Sequence, residues 1–318
     1  MKVICIGELL MDMICTDPGV TLEMGQHFLK KPGGAPANVA AAIAALGGEI
    51  AIAACVGNDP FGRQLIDEMK LFGVDTRYVR IDKEKFTTLA FVSLMENGER
   101  DFVFSRGADG ALSVADAEEI SLSEYDMLHF GSATAFLPGN LQSAYLDFFN
   151  KGIRKQKFTS FDPNYRDLLY RDHKEDFIRQ VRYFIKHCQF FKMSEEEACL
   201  ITGAHDPVSA GKIFSNMTGA VFCITLGAKG TLLSVKSEIE IIPSIPVIPV
   251  DTTGAGDAFM GAVLYQLSRL NAQNLLQLYF EDWKKIVANA NKAGARTCEF
   301  MGAMEAYRHL SDQILKTV

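Results

Sequence analysis

The segment Asp251-Thr252-Thr253-Gly254-Ala255-Gly256-Asp257 puts a glycine-rich turn, two hydroxyls and two carboxylates within seven residues. It follows the run Ile245–Val250, where Pro246 and Pro249 forbid helix, and precedes a helical pattern over Ala258–Leu270. A turn at a helix N-terminus aims unpaired N–H groups outward at the positive end of the dipole, so it can hold an anion. Glycines let the backbone approach such a ligand closely. The segment is neither G-x-x-x-x-G-K-[ST] nor G-x-G-x-x-G. An acid beside an anion hole suits a base that takes a proton from a hydroxyl while phosphoryl charge develops nearby. Asp257 could also do no more than stabilise the first turn of its helix.

Three other segments carry weaker signals, each with a plain structural alternative. Gly33-Gly34-Ala35-Pro36-Ala37-Asn38 sets a glycine pair before a proline suited to a first helical turn, either for a ligand or as an ordinary loop. Phe161-Asp162-Pro163-Asn164-Tyr165-Arg166 follows an expected strand, at the edge where open α/β sheets bind ligands. Asn164 and Arg166 can pair with hydroxyls and phosphate, although the same residues would form an Asx-Pro turn anyway. Thr225-Leu226-Gly227-Ala228-Lys229-Gly230 also follows a strand, as a nucleotide loop or a simple turn. The six histidines show no metal-binding spacing, and no Gly-x-Ser-x-Gly elbow is present.

The elements that must position these segments alternate. Strands are expected at 3–6, 50–56, 127–130, 158–161, 190–193, 221–226 and 231–235, with helices at 35–46, 61–72, 141–150 and 176–186. That order implies a parallel sheet covered by helices on both faces. Thr87–Met95 and Arg100–Ser105 break it, with Asn97-Gly98 between them as a hairpin turn. The hairpin is expected outside the parallel sheet, as a lid or a subunit contact on one main domain.

Composition narrows the class. In 318 residues, 32 basic and 39 acidic side chains leave a net charge of −7, and 48% of residues are hydrophobic. This favours a folded, soluble globular protein and argues against a general nucleic-acid binder. Seven scattered cysteines without a C-x-x-C pair fit a reducing cytoplasm. Glu8 and Asp12 interrupt the N-terminal apolar run, which is therefore read as no signal peptide. The apolar stretch from Val39 to Val56 is split at Gly47-Gly48-Glu49, so no membrane span is expected.

Taken together, the motifs resemble the PfkB, or ribokinase-like, carbohydrate kinases, and within them most closely the fructokinases. The carrying segments are Gly7–Asp12, Lys31–Asn38, Asn97–Phe102, Phe161–Tyr170 and Asp251–Phe259. The resemblance implies an α/β three-layer sandwich, one domain over 1–318, with lid elements near 8–32 and 86–106. It implies transfer of the γ-phosphoryl group of ATP to a sugar hydroxyl, most simply that of D-fructose. 2-Keto-3-deoxygluconate, ribose and adenosine are the alternatives. Asp257 would be the base, Gly254, Ala255 and Gly256 the anion hole, and Arg166 a phosphate contact. Asp12, Gly33, Gly34, Asn38, Arg106 and Asn164 would hold the sugar. Ser194, Thr225, Gly227, Gly230, Asn289 and Ala293 would line the nucleotide. Glu197 would hold Mg2+ through water, and Asp251 and Thr253 would hold K+. Ser194 departs from the asparagine of the family's N-x-x-E motif. A homodimer through the β lid is the implied assembly.

Overall fold

Strand β1 (Val3–Ile6) starts a run of thirteen strands in two sheets, in a computed structural model that describes residues 1–95 and 100–316. The next strands are β2 (Leu10–Cys15), β3 (Phe28–Gly33), β4 (Ile50–Gly57), β5 (Asp75–Asp82), β6 (Leu89–Leu94) and β7 (Arg100–Ser105). They are followed by β8 (Met127–Phe130), β9 (Phe158–Phe161), β10 (Phe190–Ser194), β11 (Val221–Thr225), β12 (Thr231–Val235) and β13 (Glu238–Ile242).

The large sheet has the order β13-β12-β11-β10-β9-β8-β1-β4-β5. All its strands run the same way except β12, which pairs antiparallel with both β11 and β13. The chain first builds rightward from β1 to β4 and β5, then returns to add β8 to β11 on the left. The order therefore reverses between β1 and β8, and a crevice opens outside the carboxyl ends of strands at such a point.

The central strands read as continuous apolar runs because both faces are buried. Val3, Cys5, Ile52 and Ala54 join a core with helices Ala35–Ala45, Ala255–Ser268 and Phe280–Thr297. Ile4, Ile6, Ala51 and Ala53 face the opposite core, with helices Asn140–Arg154 and Lys174–His187. This is the period of two expected of strands.

Helix Ala35–Ala45 is built from small residues, which lets another helix come close. A Cβ on Gly261 would lie 2.7 Å from the Cβ of Ala42. One turn earlier on both helices, Asn38 meets Asp257. Gly261 thus sets the approach that brings the Gly33–Asn38 and Asp251–Asp257 segments together.

The second sheet has the order β3-β2-β6-β7. It contains the expected hairpin strands, with the first shortened to Leu89–Leu94. Asn97-Gly98 lies outside the described residues. Sequence periodicity passed over β2, β3, β5 and β13, which carry charges and prolines that blur the alternation. Ile245–Val250 is irregular and free of helix, and the helix after it begins at Ala255 instead of Ala258.

Candidate active site

Gly254 stands at the N-cap of helix Ala255–Ser268 with φ +80°, a backbone that favours glycine. A Cβ there would lie 2.4 Å from that of Ala303, and the Gly254 carbonyl accepts a 2.8 Å bond from the Tyr307 hydroxyl. The turn is also tied by Asp251, whose carboxylate accepts from Thr253 N, Thr253 Oγ1 and Gly302 N at 2.7–2.9 Å. The Ala255 N–H closes back on the Thr252 carbonyl at 3.3 Å. It is therefore the least free of the three expected anion donors. The first-turn N–H groups of Gly256 and Asp257 have no acceptor within their own helix.

Asp257 is buried, and burial raises its carboxyl above the ordinary range. Lys192, the hydrogen bond from Asn38 and the Arg166 guanidinium pull it back. Asn38 Nδ2 donates to Asp257 Oδ2 at 2.8 Å, while Asn38 Oδ1 is buried without a partner. That oxygen is a spare acceptor beside Asp257.

Lys192 escaped the sequence reading, although a lone charge in the apolar strand Phe190-Phe191-Lys192-Met193 was a visible signal. Its Nζ lies 2.6 Å from Asp162 Oδ2, and only 2.9 Å from where a Cβ on Gly256 would sit. Burial opposes its charge, but the carboxylates of Asp162, Glu197 and Asp257 outweigh burial and raise its pKa. A protonated lysine therefore stands against the glycine turn. It lines a cavity of about 570 Å³ with Asn164, Arg166, Ser194, Glu197, Thr225 and Gly256.

Asn164 adopts a left-handed backbone (φ 48°) and donates from Nδ2 to the Gly131 carbonyl at 3.0 Å. Such a conformation at a ligand-facing edge is held by its surroundings. Ser194 and Glu197 form a capping box on helix Glu195–Thr202, which accounts for serine at that position. Glu197 Oε2 accepts from Ser194 N at 2.8 Å and Oε1 from Tyr165 N at 2.6 Å. Glu197 thus fastens the loop that carries Arg166.

Asp12 projects from β2 against Gly33, where a Cβ would meet its Oδ2 at 2.1 Å. Burial pushes its carboxyl up to about 7, with Arg166 opposing and Asp257 adding to the rise. The two sheets therefore meet electrostatically at Asp12, Arg166 and Asp257. Gly34 (φ +106°) abuts the Glu8 carbonyl, 2.5 Å from where its Cβ would be. Farther along the large sheet, Thr225 closes β11, and Gly230 (φ +103°) lets the chain pass the Ile242 carbonyl at 2.1 Å from a would-be Cβ.

Two expected residues are engaged by other parts of the chain. The Arg106 guanidinium donates to the Pro138 and Thr134 carbonyls at 3.0 and 3.3 Å, and it lines a second cavity of about 470 Å³ with Lys85 and Phe86. Asn289 donates to Gln266 on the neighbouring helix at 3.0 Å. Residues two apart on a helix face nearly opposite ways. Accordingly Asn291, not Asn289, reaches β12 and β13, accepting from Thr231 and donating to the Ile242 carbonyl. Ala293 is buried on the same helix.

Residues 1–309 match the family model described as pfkB family carbohydrate kinase. The chain belongs to this family. It is 34% identical over 309 residues to fructokinase-1 of Zea mays, covering 95% of this chain and 93% of that protein. A crystal structure of fructokinase from Vibrio cholerae with fructose, ADP and calcium superposes with a TM-score of 0.82, at 32% identity and 99% and 98% coverage. A putative ribokinase II of E. coli with ATP and Mg2+ gives 0.83 at 26% identity, covering 99% and 97%. The pfkB assignment makes this chain a carbohydrate kinase with a ribokinase-like fold.

Among the described residues no group of three or more His, Cys, Asp and Glu could hold a metal ion. No helix among them is long and apolar enough to cross a membrane.

Proposed function

We propose that the protein phosphorylates D-fructose to fructose 6-phosphate with ATP, and that Asp257 is the general base. The carrying observation is Asp257 itself: a buried carboxylate in the first turn of a helix, bonded to Asn38 and facing Lys192. In this reading Asp257 takes the proton of the sugar hydroxyl as its oxygen bonds to the γ-phosphorus. The bond to the bridging oxygen breaks and ADP leaves. The Gly254–Asp257 turn, Lys192 and Arg166 face the charge on the transferred group, so the positive field is in place before the reaction.

Asp12, Gly33, Gly34, Asn38 and Asn164 hold the sugar, while Ser194, Thr225, Gly227, Gly230 and Ala293 line the nucleotide. The donor set suits a Mg2+ ion carried mainly by ATP phosphates, with Glu197 acting through water. Potassium at Asp251 and Thr253 would rest on their carbonyls, because the Asp251 side chain is engaged in the turn. The four-stranded sheet closes over the sugar and pairs with a second subunit, in a cytoplasmic enzyme. Its exposed Leu29, Leu94 and Val103 and the seven free cysteines support that reading.

A coupled ADP-release assay over fructose, ribose, 2-keto-3-deoxygluconate and adenosine tests the substrate. Fructose should give the highest kcat/KM. A higher value for another acceptor transfers the assignment to that acceptor.

A further inference from the structure

Glu8 lies two residues past β1, where the strand order of the large sheet reverses. It is 1% exposed, and no step proposed above uses it. Its Oε1 accepts from the backbone N–H of Ala35 and of Ala133, each at 3.1 Å. Its Oε2 accepts from the Ser132 hydroxyl. Ser132 Oγ in turn accepts from Thr134 N at 3.2 Å and Ala135 N at 2.9 Å.

The donor count is decisive. A hydroxyl has one hydrogen and two lone pairs. Both lone pairs of Ser132 are taken by N–H groups, so its hydrogen must go to Glu8. Glu8 therefore faces three donors, which only an acceptor-only carboxylate satisfies. A glutamine amide would aim N–H at an oxygen with no lone pair left.

Each partner leads to a sugar-facing segment. Ala35 opens the helix that carries Asn38 one turn later, and Asn38 meets Asp257. The loop of Ser132 and Ala133 follows Gly131, whose carbonyl holds Asn164.

We propose that Glu8 is a positioning residue for the sugar subsite: its carboxylate ties the Gly33–Asn38 turn to the Gly131–Thr134 loop, and so sets the spacing between Asn38 and Asn164. The inference rests on the assignment of Asp12, Asn38 and Asn164 to the sugar.

The test is steady-state kinetics at pH 8, above the value of about 7 to which burial pushes Glu8, using the sugar with the highest kcat/KM in the panel. Glu8→Gln should raise the sugar KM about tenfold or more while leaving the ATP KM within twofold. Ser132→Ala, which keeps the carboxylate and both N–H bonds, should raise it severalfold with the same selectivity and guards against a Glu8 variant that does not fold. Asp12→Ala serves as the control for the site. If Asp12→Ala raises the sugar KM and neither Glu8→Gln nor Ser132→Ala does, the positioning role is wrong and the sugar site stands. If all three leave it unchanged, the site assignment fails and takes this role with it. Parallel rises in both KM values, with a matching loss of Tm, would make Glu8 a purely structural residue and overturn the proposal.

Discussion

The carboxyl edge of the nine-stranded sheet and the four-stranded sheet meet at Asp12, yet they place polar and apolar groups in opposite ways. The edge buries charge: Glu8, Asp162, Lys192, Glu197 and Asp257 are all below 10% exposed. The small sheet exposes hydrocarbon, with Leu94 at 59% and Val103 at 53%. Buried charges are costly unless each has a partner, so the edge is intolerant of deletion. A small sheet held by its ladder and by a few ring contacts, such as Phe28 against Phe91 at 5.9 Å, has less to lose.

The sharpest way to break this contrast is at the proposed base. Asp257→Asn should lower kcat by roughly 10²- to 10⁴-fold while sugar binding survives. Wild-type turnover should also fall on the acid side, because a raised carboxyl protonates sooner. A variant within a few-fold of wild type would remove Asp257 from the chemistry.

Next comes Lys192→Met, which strands Asp162 and Asp257 without their cation. Breaking a buried pair costs about 3–5 kcal/mol, readable by denaturant unfolding. Adding Asp162→Asn should recover most of the stability and none of the activity. Recovery of both would show that Lys192 serves only the fold.

A smaller effect is expected at the junction of the two sheets. Asp12→Ala should raise the sugar KM by an amount matching about 1.5–3 kcal/mol, with little change in the KM for ATP. Asp12→Asn adds a stability test. The folded pKa of Asp12 is raised from the usual carboxylate value to about 7, so its charge weakens the fold as pH climbs from about 4 through 7. Asn should therefore raise Tm at pH 8 and leave it unchanged at pH 4. Equal shifts at both values would deny the burial of this carboxylate.

The smallest effect belongs to the small sheet. Val103→Lys, on an exposed site, should change unfolding stability by no more than about 0.5 kcal/mol. Light scattering on the same variant reads the assembly: loss of a dimer supports pairing through this sheet, and an unchanged mass removes Val103 from any subunit contact.

Much of this site was legible from residue types. The Asp251–Asp257 turn could be read because glycines, a preceding proline-broken run and a following helix leave few local solutions. The Phe161–Arg166 segment could be read because it follows a buried strand. Lys192 and Glu8 were visible as single charges in apolar runs, but a lone charge does not say what it faces. Their meaning came from partners more than 25 residues away, Asp162 and Gly256 for one, Ala35 and Ser132 for the other. The contacts of Arg106 and Asn289 were hidden for the same reason: position along the chain does not fix the direction of a long or helical side chain.

Sequence alone determined the alternation of strands and helices, the glycine-rich turn before a helix and the family, because these depend on local backbone preference and short spacing. Tertiary structure decided which charges are buried together, how closely helix Ala35–Ala45 approaches helix Ala255–Ser268, and where the strand order reverses. Those depend on contacts between segments far apart in the chain. The close fit of Gly261 on Ala42, and with it the bond from Asn38 to Asp257, exists only once both helices lie on one face of the sheet.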